Sequence, residues 1–220
     1  MRVHLSTRIE AISQANGALS ARLSSGDPLA ADMIINATGV RPNIDFLKGS
    51  GINTKDGVLV DDRLQTSVAG IYAAGDVAES IGFHSGLPEL NAVQPNAVDQ
   101  ARVAAANMAG KPARFQGGLA INVLDTLGLI STSFGQWWGE GKADGGDSAE
   151  LVDADHFHYL SLQFREDVLI GATSLGWTDH VGALRGLIQG RNRLGEWKGR
   201  LMADPTQFMA AYLGAAQKSA

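Results

Sequence analysis

The sequence IYAAGD at residues 71–76 decides the fold class, because a short apolar segment runs directly into a glycine and a carboxylate. Apolar and very small residues over 71–74 predict a strand buried on both faces of a parallel sheet. Open α/β sheets bind their ligands at the carboxyl ends of such strands. Gly75 would let a ligand approach the backbone closely, and Asp76 would accept a hydrogen bond from a sugar-type hydroxyl. The alternative is a solvated turn, since Gly-Asp is a common turn pair.

Upstream of this segment, the pattern predicts a β-meander that leads into a second buried strand. Residues 3–12 and 18–23 alternate apolar and polar side chains on either side of Asn16-Gly17, a strong hairpin pair. Residues 31–37 include three consecutive large apolar residues, which suit a strand covered on both faces. Another short strand is predicted over 58–60.

The clearest helix prediction begins near Pro95 and ends before Gly110, with small apolar residues at helical spacing between them. Proline near the first turn and glycine beyond the last follow the usual asymmetry of helix ends. The amino end of a helix presents unpaired N–H groups and about half a positive charge. An ordinary packing helix is the alternative, because the alanine-rich face suits close packing equally well.

A composition shift near residue 112 predicts a domain boundary and an antiparallel sheet with helices beyond it. The predicted elements are a strand over 119–135, an exposed glycine-rich loop over 139–146, a hairpin of 157–164 and 168–175, a helix from about Asp179, and a last helix after Asp204-Pro205.

Composition and charge exclude several classes of function. The formal net charge is −5, and the 18 Lys and Arg residues are scattered, so nucleic acid is a poor partner. No apolar stretch approaches the roughly 20 residues that cross a bilayer, so we expect no membrane contact and a cytoplasmic location. The chain has no cysteine, which excludes a disulfide framework and a thiolate nucleophile within it. His156 and His158 share a strand face but lack a third ligand at suitable spacing, so no metal site is predicted.

Three motifs, in this order, resemble the C-terminal portion of the FAD-dependent pyridine nucleotide-disulfide oxidoreductase family. They are ATGVRPN at 37–43, Gly75-Asp76, and the helix that opens with QPNA at 94–97. The resemblance is to the branch of NADH oxidases, NADH-dependent nitrite reductases and rubredoxin-type reductases. It implies that Asp76 binds the ribityl chain of the flavin and that Gly75 permits close approach.

The same resemblance implies roles for the other two motifs. Thr38 and Gly39 would line the crossover between domains beside the cofactor. Gln94, Pro95, Asn96 and Ala97 would open a helix whose amino end points at the pyrimidine edge of the isoalloxazine. A fixed dipole there would stabilise the negative charge that reduced flavin carries at this edge.

The implied fold class is α/β plus α+β, a partial doubly wound FAD-binding domain with a β-meander followed by an α+β interface or dimerisation domain. Residues 1–30 would be the end of an NAD domain and the meander, 31–111 the C-terminal half of the FAD domain, and 112–220 the interface domain. No Gly-x-Gly-x-x-Gly motif occurs, although such enzymes use one for FAD and one for NAD. We therefore expect the C-terminal portion of a longer enzyme, inactive as 220 residues alone.

The implied function of the parent enzyme is hydride transfer from NAD(P)H to FAD and then to an acceptor. FAD and a second copy of the chain, bound through residues 112–220, are the expected partners. The alternative is a non-catalytic dimerisation or partner-docking module on a degenerate FAD-domain scaffold.

Overall fold

The computed structural model describes residues 2–15 and 17–218 of the chain. Contacts divide the chain into two units, residues 1–40 and residues 41–220. The predicted boundary near residue 112 falls inside the second unit and stays a prediction.

The first unit is a three-stranded antiparallel sheet of β1 (Ile9–Ala15), β2 (Ala18–Leu23) and β3 (Leu29–Ala31), in that order. The predicted meander is therefore present. Asn16 of the predicted hairpin pair lies outside the described residues, and Gly17 has a φ of +82° that suits a tight turn.

The prediction of a buried strand over 31–37 is wrong. Strand β3 ends at Ala31, and the side chains of Met33 and Ile35 are 74% and 82% exposed. A strand covered on both faces needs neighbouring strands and covering layers, whereas β3 pairs only with β2 and no described strand lies beside 32–37. The apolar run by itself did not specify these neighbours.

The second unit begins with a small mixed sheet and a long helix. Its elements are a 3₁₀ turn over Asp45–Leu47, strands β4 (Val58–Leu59), β5 (Ala78–Ile81) and β6 (Pro88–Leu90), and helix α1 (Gln94–Met108). Strand β4 runs parallel to β5, and β5 runs antiparallel to β6. The predicted helix and the predicted short strand near 58–60 are both confirmed.

The prediction of a buried parallel strand over 71–74 is also wrong. Only Tyr72 forms a bridge, an antiparallel one to Gln65, and Ile71 is 43% exposed. A strand forms only where a neighbour accepts and donates its backbone hydrogen bonds, and within the described residues this segment has only the 64–66 turn beside it. The apolar segment still runs into Gly75-Asp76, which precede β5.

The rest of the second unit contains a five-stranded antiparallel sheet with the order β7-β8-β11-β10-β9. The strands are β7 (Ile121–Thr126), β8 (Leu129–Gly135), β9 (Gly146–Asp153), β10 (His158–Arg165) and β11 (Val168–Leu175). The predicted hairpin of 157–164 and 168–175 is confirmed as β10 and β11. The predicted single strand over 119–135 is wrong, because Leu127 and Gly128 have φ values of +54° and +85° and turn the chain back.

Three helices accompany this sheet: α2 (Gly182–Gly190), α3 (Glu196–Ala203) and α4 (Phe208–Lys218). Helix α2 contacts β8 and β11, and α3 contacts β9. The shared core buries Leu160, Leu162, Phe164, Leu169, Leu184, Leu187 and Phe208. Sequence patterns predicted α2 and α4 but not α3 or β9. The predicted exposed loop over 139–146 is wrong at its two ends, because Gly139 and Gly146 are buried against neighbouring parts of the chain.

Candidate functional site

The turn at Gly75-Asp76 connects the 71–74 segment to β5. The carbonyl of Gly75 accepts a hydrogen bond of 2.9 Å from the N–H of Ala78, which closes the turn. Gly75 has a φ of +83°, a conformation that costs an L-residue about 1–2 kcal/mol. A Cβ at this position would lie 3.7 Å from the Cβ of Ala97, so the backbone conformation rather than crowding requires the glycine.

The turn is fixed against α1 by a buried glutamine. The N–H of Gly75 donates to Oε1 of Gln100 at 2.7 Å, and Nε2 of Gln100 donates to Oγ of Ser80 at 3.1 Å. Gln100 is 1% exposed and Ser80 is fully buried. The glutamine therefore ties the turn and β5 to the same helix.

The carboxylate of Asp76 is exposed beside this anchored turn. Within the part of the chain that the structure describes, Asp76 has no hydrogen-bond or ion-pair partner, in contrast to most acidic side chains nearby. Its oxygens are therefore free to accept hydrogen bonds from hydroxyl groups of a ligand.

The amino end of α1 is uncapped by any side chain. Helix α1 begins at Gln94 with Pro95 in its first turn, and Val93 precedes it in extended backbone. Such an end carries unpaired N–H groups and a partial positive charge. The side chain of Asn96 faces the protein, where Nδ2 donates to the carbonyl of Leu119 at 2.8 Å, so Asn96 offers a ligand its main chain rather than that amide N–H.

The structure brings Gly75, directly before Asp76, against α1: its N–H bonds to Gln100 at 2.7 Å, and a Cβ at Gly75 would lie 3.7 Å from that of Ala97. Thr38 and Gly39 belong to the 1–40 unit. There, the N–H and the hydroxyl of Thr38 both donate to Oδ1 of Asn36, at 3.2 and 2.8 Å. Gly39 is exposed with a φ of +90°, and open space surrounds it.

Sequence reasoning missed the two buried amides of α1. Asn96 and Gln100 are 2% and 1% exposed and stand four residues apart, so they share a helix face. Two amide side chains four residues apart in an alanine-rich helix were the feature of the sequence that could have indicated this buried pair. The burial of the two side chains depends on Leu119 and Ser80, whose positions relative to α1 only the tertiary structure gives.

A second feature lies away from this turn, a cavity of about 280 Å³ between the β5–β6 connection and the large sheet. Phe83, His84, Arg165 and Arg191 contribute to its lining. Burial, followed by the charge of Arg191, lowers the pKa of His84 and so favours its neutral form. Arg165 is paired with Glu140 through Nε at 2.6 Å, and Arg191 stacks 4.2 Å from the centre of the Phe83 ring. These cations are engaged in holding the structure.

The two histidines considered as metal ligands are placed as follows. Nδ1 of His156 contacts Oδ2 of Asp153 at 2.8 Å, and this hydrogen bond lowers the pKa of Asp153. The rings of His156 and His158 lie 6.2 Å apart. No three His, Asp or Glu side chains group as metal ligands among the described residues. Over the same residues, no helix is both long and apolar enough to span a bilayer.

Comparison with known families gives a match over the part of the chain that contains every candidate residue. The model of the pyridine nucleotide-disulphide oxidoreductase family matches residues 1–107.

Two curated relatives extend this likeness. The NADH-dependent phenylglyoxylate dehydrogenase subunit epsilon of Aromatoleum evansii is 34% identical over 186 residues, which are 83% of this chain and 43% of that protein. The NADH-rubredoxin oxidoreductase of Clostridium acetobutylicum is 37% identical over 110 residues, 50% of this chain and 27% of that protein. The chain therefore spans less than half the length of these two relatives.

Solved structures agree on the fold. A ferredoxin reductase from Rhodopseudomonas palustris is 25% identical with a TM-score of 0.69, covering 80% of this chain and 42% of that one. An FAD-dependent pyridine nucleotide-disulphide oxidoreductase from Desulfovibrio vulgaris is 20% identical with a TM-score of 0.72, covering 99% and 56%. The second likeness concerns the fold alone. A mixed α/β fold is thereby confirmed.

Proposed function

Residues 1–107 belong to the pyridine nucleotide-disulphide oxidoreductase family, as their motifs predicted, and from this membership we propose that the chain supplies part of an FAD site. The protein that carries the chain would be an oxidoreductase that passes hydride from NAD(P)H to FAD and then to an acceptor. The observation that carries the proposal is the exposed, unpartnered carboxylate of Asp76 on a turn anchored beside the uncapped amino end of α1.

The residues present fit such a cofactor in their chemistry. Asp76 would hold the ribityl hydroxyls by accepting hydrogen bonds from them, which a carboxylate does more strongly than a neutral oxygen. The left-handed conformation of Gly75 exposes the main chain of the turn without a side chain in the way. By the resemblance of their motif, Thr38 and Gly39 would line the crossover beside the cofactor.

The amino end of α1 would interact with the cofactor through charge. Gln94 to Ala97 form the first turn, and Pro95 has no N–H to offer, so the N–H groups of Gln94 and Asn96 and the helix dipole provide the positive potential. When bound, FAD would accept a hydride from NAD(P)H and release electrons to the acceptor, and the protein would supply binding, orientation and electrostatics. A positive helix end stabilises negative charge placed before it.

We also propose that residues 112–220 form the α+β interface domain and that two copies associate through it. The β7–β8 hairpin supports this, since Val123, Leu124 and Leu127 are more than half exposed there. Exposed apolar clusters on soluble domains often mark interaction surfaces. Light scattering coupled to size exclusion of the full-length protein would give a dimer mass, and a monomer at micromolar concentration would contradict this proposal.

The test of the proposed function is the visible spectrum of the purified full-length protein, before and after anaerobic addition of NADH or NADPH. We expect flavin absorption bands that bleach with one or both nucleotides. A colourless protein that cannot be reconstituted with FAD would contradict the proposal and favour a docking module on an FAD-domain scaffold. The comparison of the two nucleotides would also identify the donor.

A further inference from the structure

One face of α1 carries three amide side chains, Asn96, Gln100 and Asn107, that are hydrogen-bonded to other parts of the chain. Near its amino end, Asn96 bonds to Leu119, and Gln100 bonds to both Gly75 and Ser80. Near its carboxyl end, Nδ2 of Asn107 donates to three carbonyls, including that of Ala113 at 2.9 Å. The helix is therefore anchored at both ends, by different residues.

Gln100 differs from the other two amides because its partners flank the Asp76 turn. Its Oε1 accepts from the N–H of Gly75, directly before Asp76, and its Nε2 donates to Ser80, four residues after Asp76 in β5. One side chain thus holds both sides of the turn. The bond from the N–H of Gly75 to Gln100 fixes the Ala74–Gly75 peptide plane, and the bond that the carbonyl of Gly75 accepts from the N–H of Ala78 fixes the next plane, which leads into Asp76.

We propose that Gln100 is a positioning residue that sets the distance between the carboxylate of Asp76 and the amino end of α1. Both groups would contact the same flavin, so a rigid link between them lets each bind without a rearrangement. This inference rests on the proposed function, because it assigns the cofactor to these two groups. Gln100 itself, 1% exposed, would not touch the cofactor.

The chemistry of an amide suits this role better than the alternatives. Gln100 offers an acceptor to Gly75 and a donor to Ser80 without carrying charge into a buried position. Methionine has a similar length but would leave the N–H of Gly75 without its acceptor. Glutamate would keep that acceptor and could accept a hydrogen bond from the hydroxyl of Ser80.

The experiment measures FAD affinity of the full-length apoprotein by flavin fluorescence, together with thermal unfolding. Q100M removes the link, Q100E restores the acceptor for Gly75, and N107M breaks a comparable anchor at the far end of α1. We expect Q100M to raise the Kd for FAD at least tenfold. We expect Q100E to raise it less, because glutamate keeps the acceptor for Gly75 although it brings a carboxyl group into the buried position. We expect N107M to lower the unfolding temperature while changing the Kd less than threefold.

A double-mutant cycle separates positioning from general destabilisation. If Gln100 acts through the Asp76 turn, adding Q100M to D76A should raise the Kd by less than threefold, whereas the effect of N107M should be the same in both backgrounds. Equal effects of Q100M and N107M, or full additivity of Q100M with D76A, would overturn this inference while the proposed function stands. Failure of the unmutated protein to bind FAD would overturn the proposed function and this inference with it.

Discussion

Oδ2 of Asp99 lies 2.7 Å from Nη2 of Arg185, and this ion pair joins α1 to α2 across 86 residues of sequence. The two side chains are 34% and 28% exposed, so water screens the pair only in part. The helix that we assign to the cofactor is therefore braced directly by the sheet-and-helix region that follows it. Asn96, bonded to the carbonyl of Leu119, braces the same helix one turn earlier.

Loss of this ion pair should destabilise the protein measurably. We expect Arg185→Gln to lower the free energy of unfolding by about 1 kcal/mol, since a partly buried charged hydrogen bond is lost. Arg102→Gln is the matched control, because Arg102 contacts the same carboxylate at 3.4 Å but is 77% exposed, and it should have almost no effect. Urea unfolding gives the free energy of unfolding of both variants. Equal losses in the two variants would contradict a stabilising role for the Arg185–Asp99 ion pair.

The left-handed conformation of Gly75 should make alanine costly there. We expect Gly75→Ala to destabilise by about 1–2 kcal/mol, although its Cβ would meet nothing closer than 3.7 Å. Gly199, inside α3 with open space around it, is the matched control, and Gly199→Ala should stabilise by about 0.4–1 kcal/mol. If both substitutions stabilised the protein, the conformation of the turn would be refuted.

The stability contributed by Asp204 should depend on pH. Its side chain accepts hydrogen bonds from the N–H and hydroxyl of Thr206, at 3.0 and 2.6 Å, and these bonds, with one from Gln207, lower the pKa of its carboxyl group. A lowered folded-state pKa means that the contribution is complete above the ordinary Asp range and is lost as the pH falls through the folded-state pKa.

Asp204 caps the 3₁₀ turn Pro205–Gln207 that leads into α4. We therefore expect Asp204→Ala to destabilise by about 1 kcal/mol at pH 7, the usual value of an N-cap. The difference in unfolding free energy from the unmutated protein should shrink as the pH is lowered below 4. Chemical denaturation at several pH values measures this difference in unfolding free energy. A difference that grew on acidification would contradict a lowered pKa of Asp204 in the folded state.

The β7–β8 turn places leucine where asparagine is preferred. Leu127 and Gly128 both have positive φ, the geometry of a two-residue turn that favours Asn-Gly, and the side chain of Leu127 is fully exposed. We expect Leu127→Asn to stabilise the folded chain by about 0.5–1 kcal/mol. If the hairpin also contacts a second copy, the variant should dissociate at higher concentration than the unmutated protein. A less stable variant would refute the turn geometry.

The sequence predicted the elements whose signals are local. Helix α1, with Pro95 and Gly110 at its two ends, and the β10–β11 hairpin, whose first strand was predicted from strict alternation, both form as expected. The segments at 31–37 and 71–74 were predicted wrongly because an apolar run indicates burial only if partner strands exist, and the run does not encode them. The turn at Leu127 was missed because leucine is rarely found at positive φ.

For the candidate site, sequence motifs identified the turn and the helix but not the link between them. Asp76 and the start of α1 could be predicted because the Gly75-Asp76 pair and the QPNA motif at 94–97 are visible in the sequence. Gln100 could not, because its function depends on the N–H of Gly75 lying 2.7 Å away, a tertiary distance. The division of the chain near residue 112 and the roles of Thr38, Gly39, Asp76 and the start of α1 stay predictions.

The most direct test of the account is the affinity of the full-length apoprotein for FAD with and without the carboxylate of Asp76. We predict that Asp76→Ala weakens binding on the order of 1.5–3 kcal/mol, which is about 10- to 150-fold in Kd. Asp155→Ala, which removes another exposed carboxylate, is the control and should leave the Kd unchanged. The same Kd for Asp76→Ala, Asp155→Ala and the unmutated protein would contradict the assignment of this turn to the cofactor.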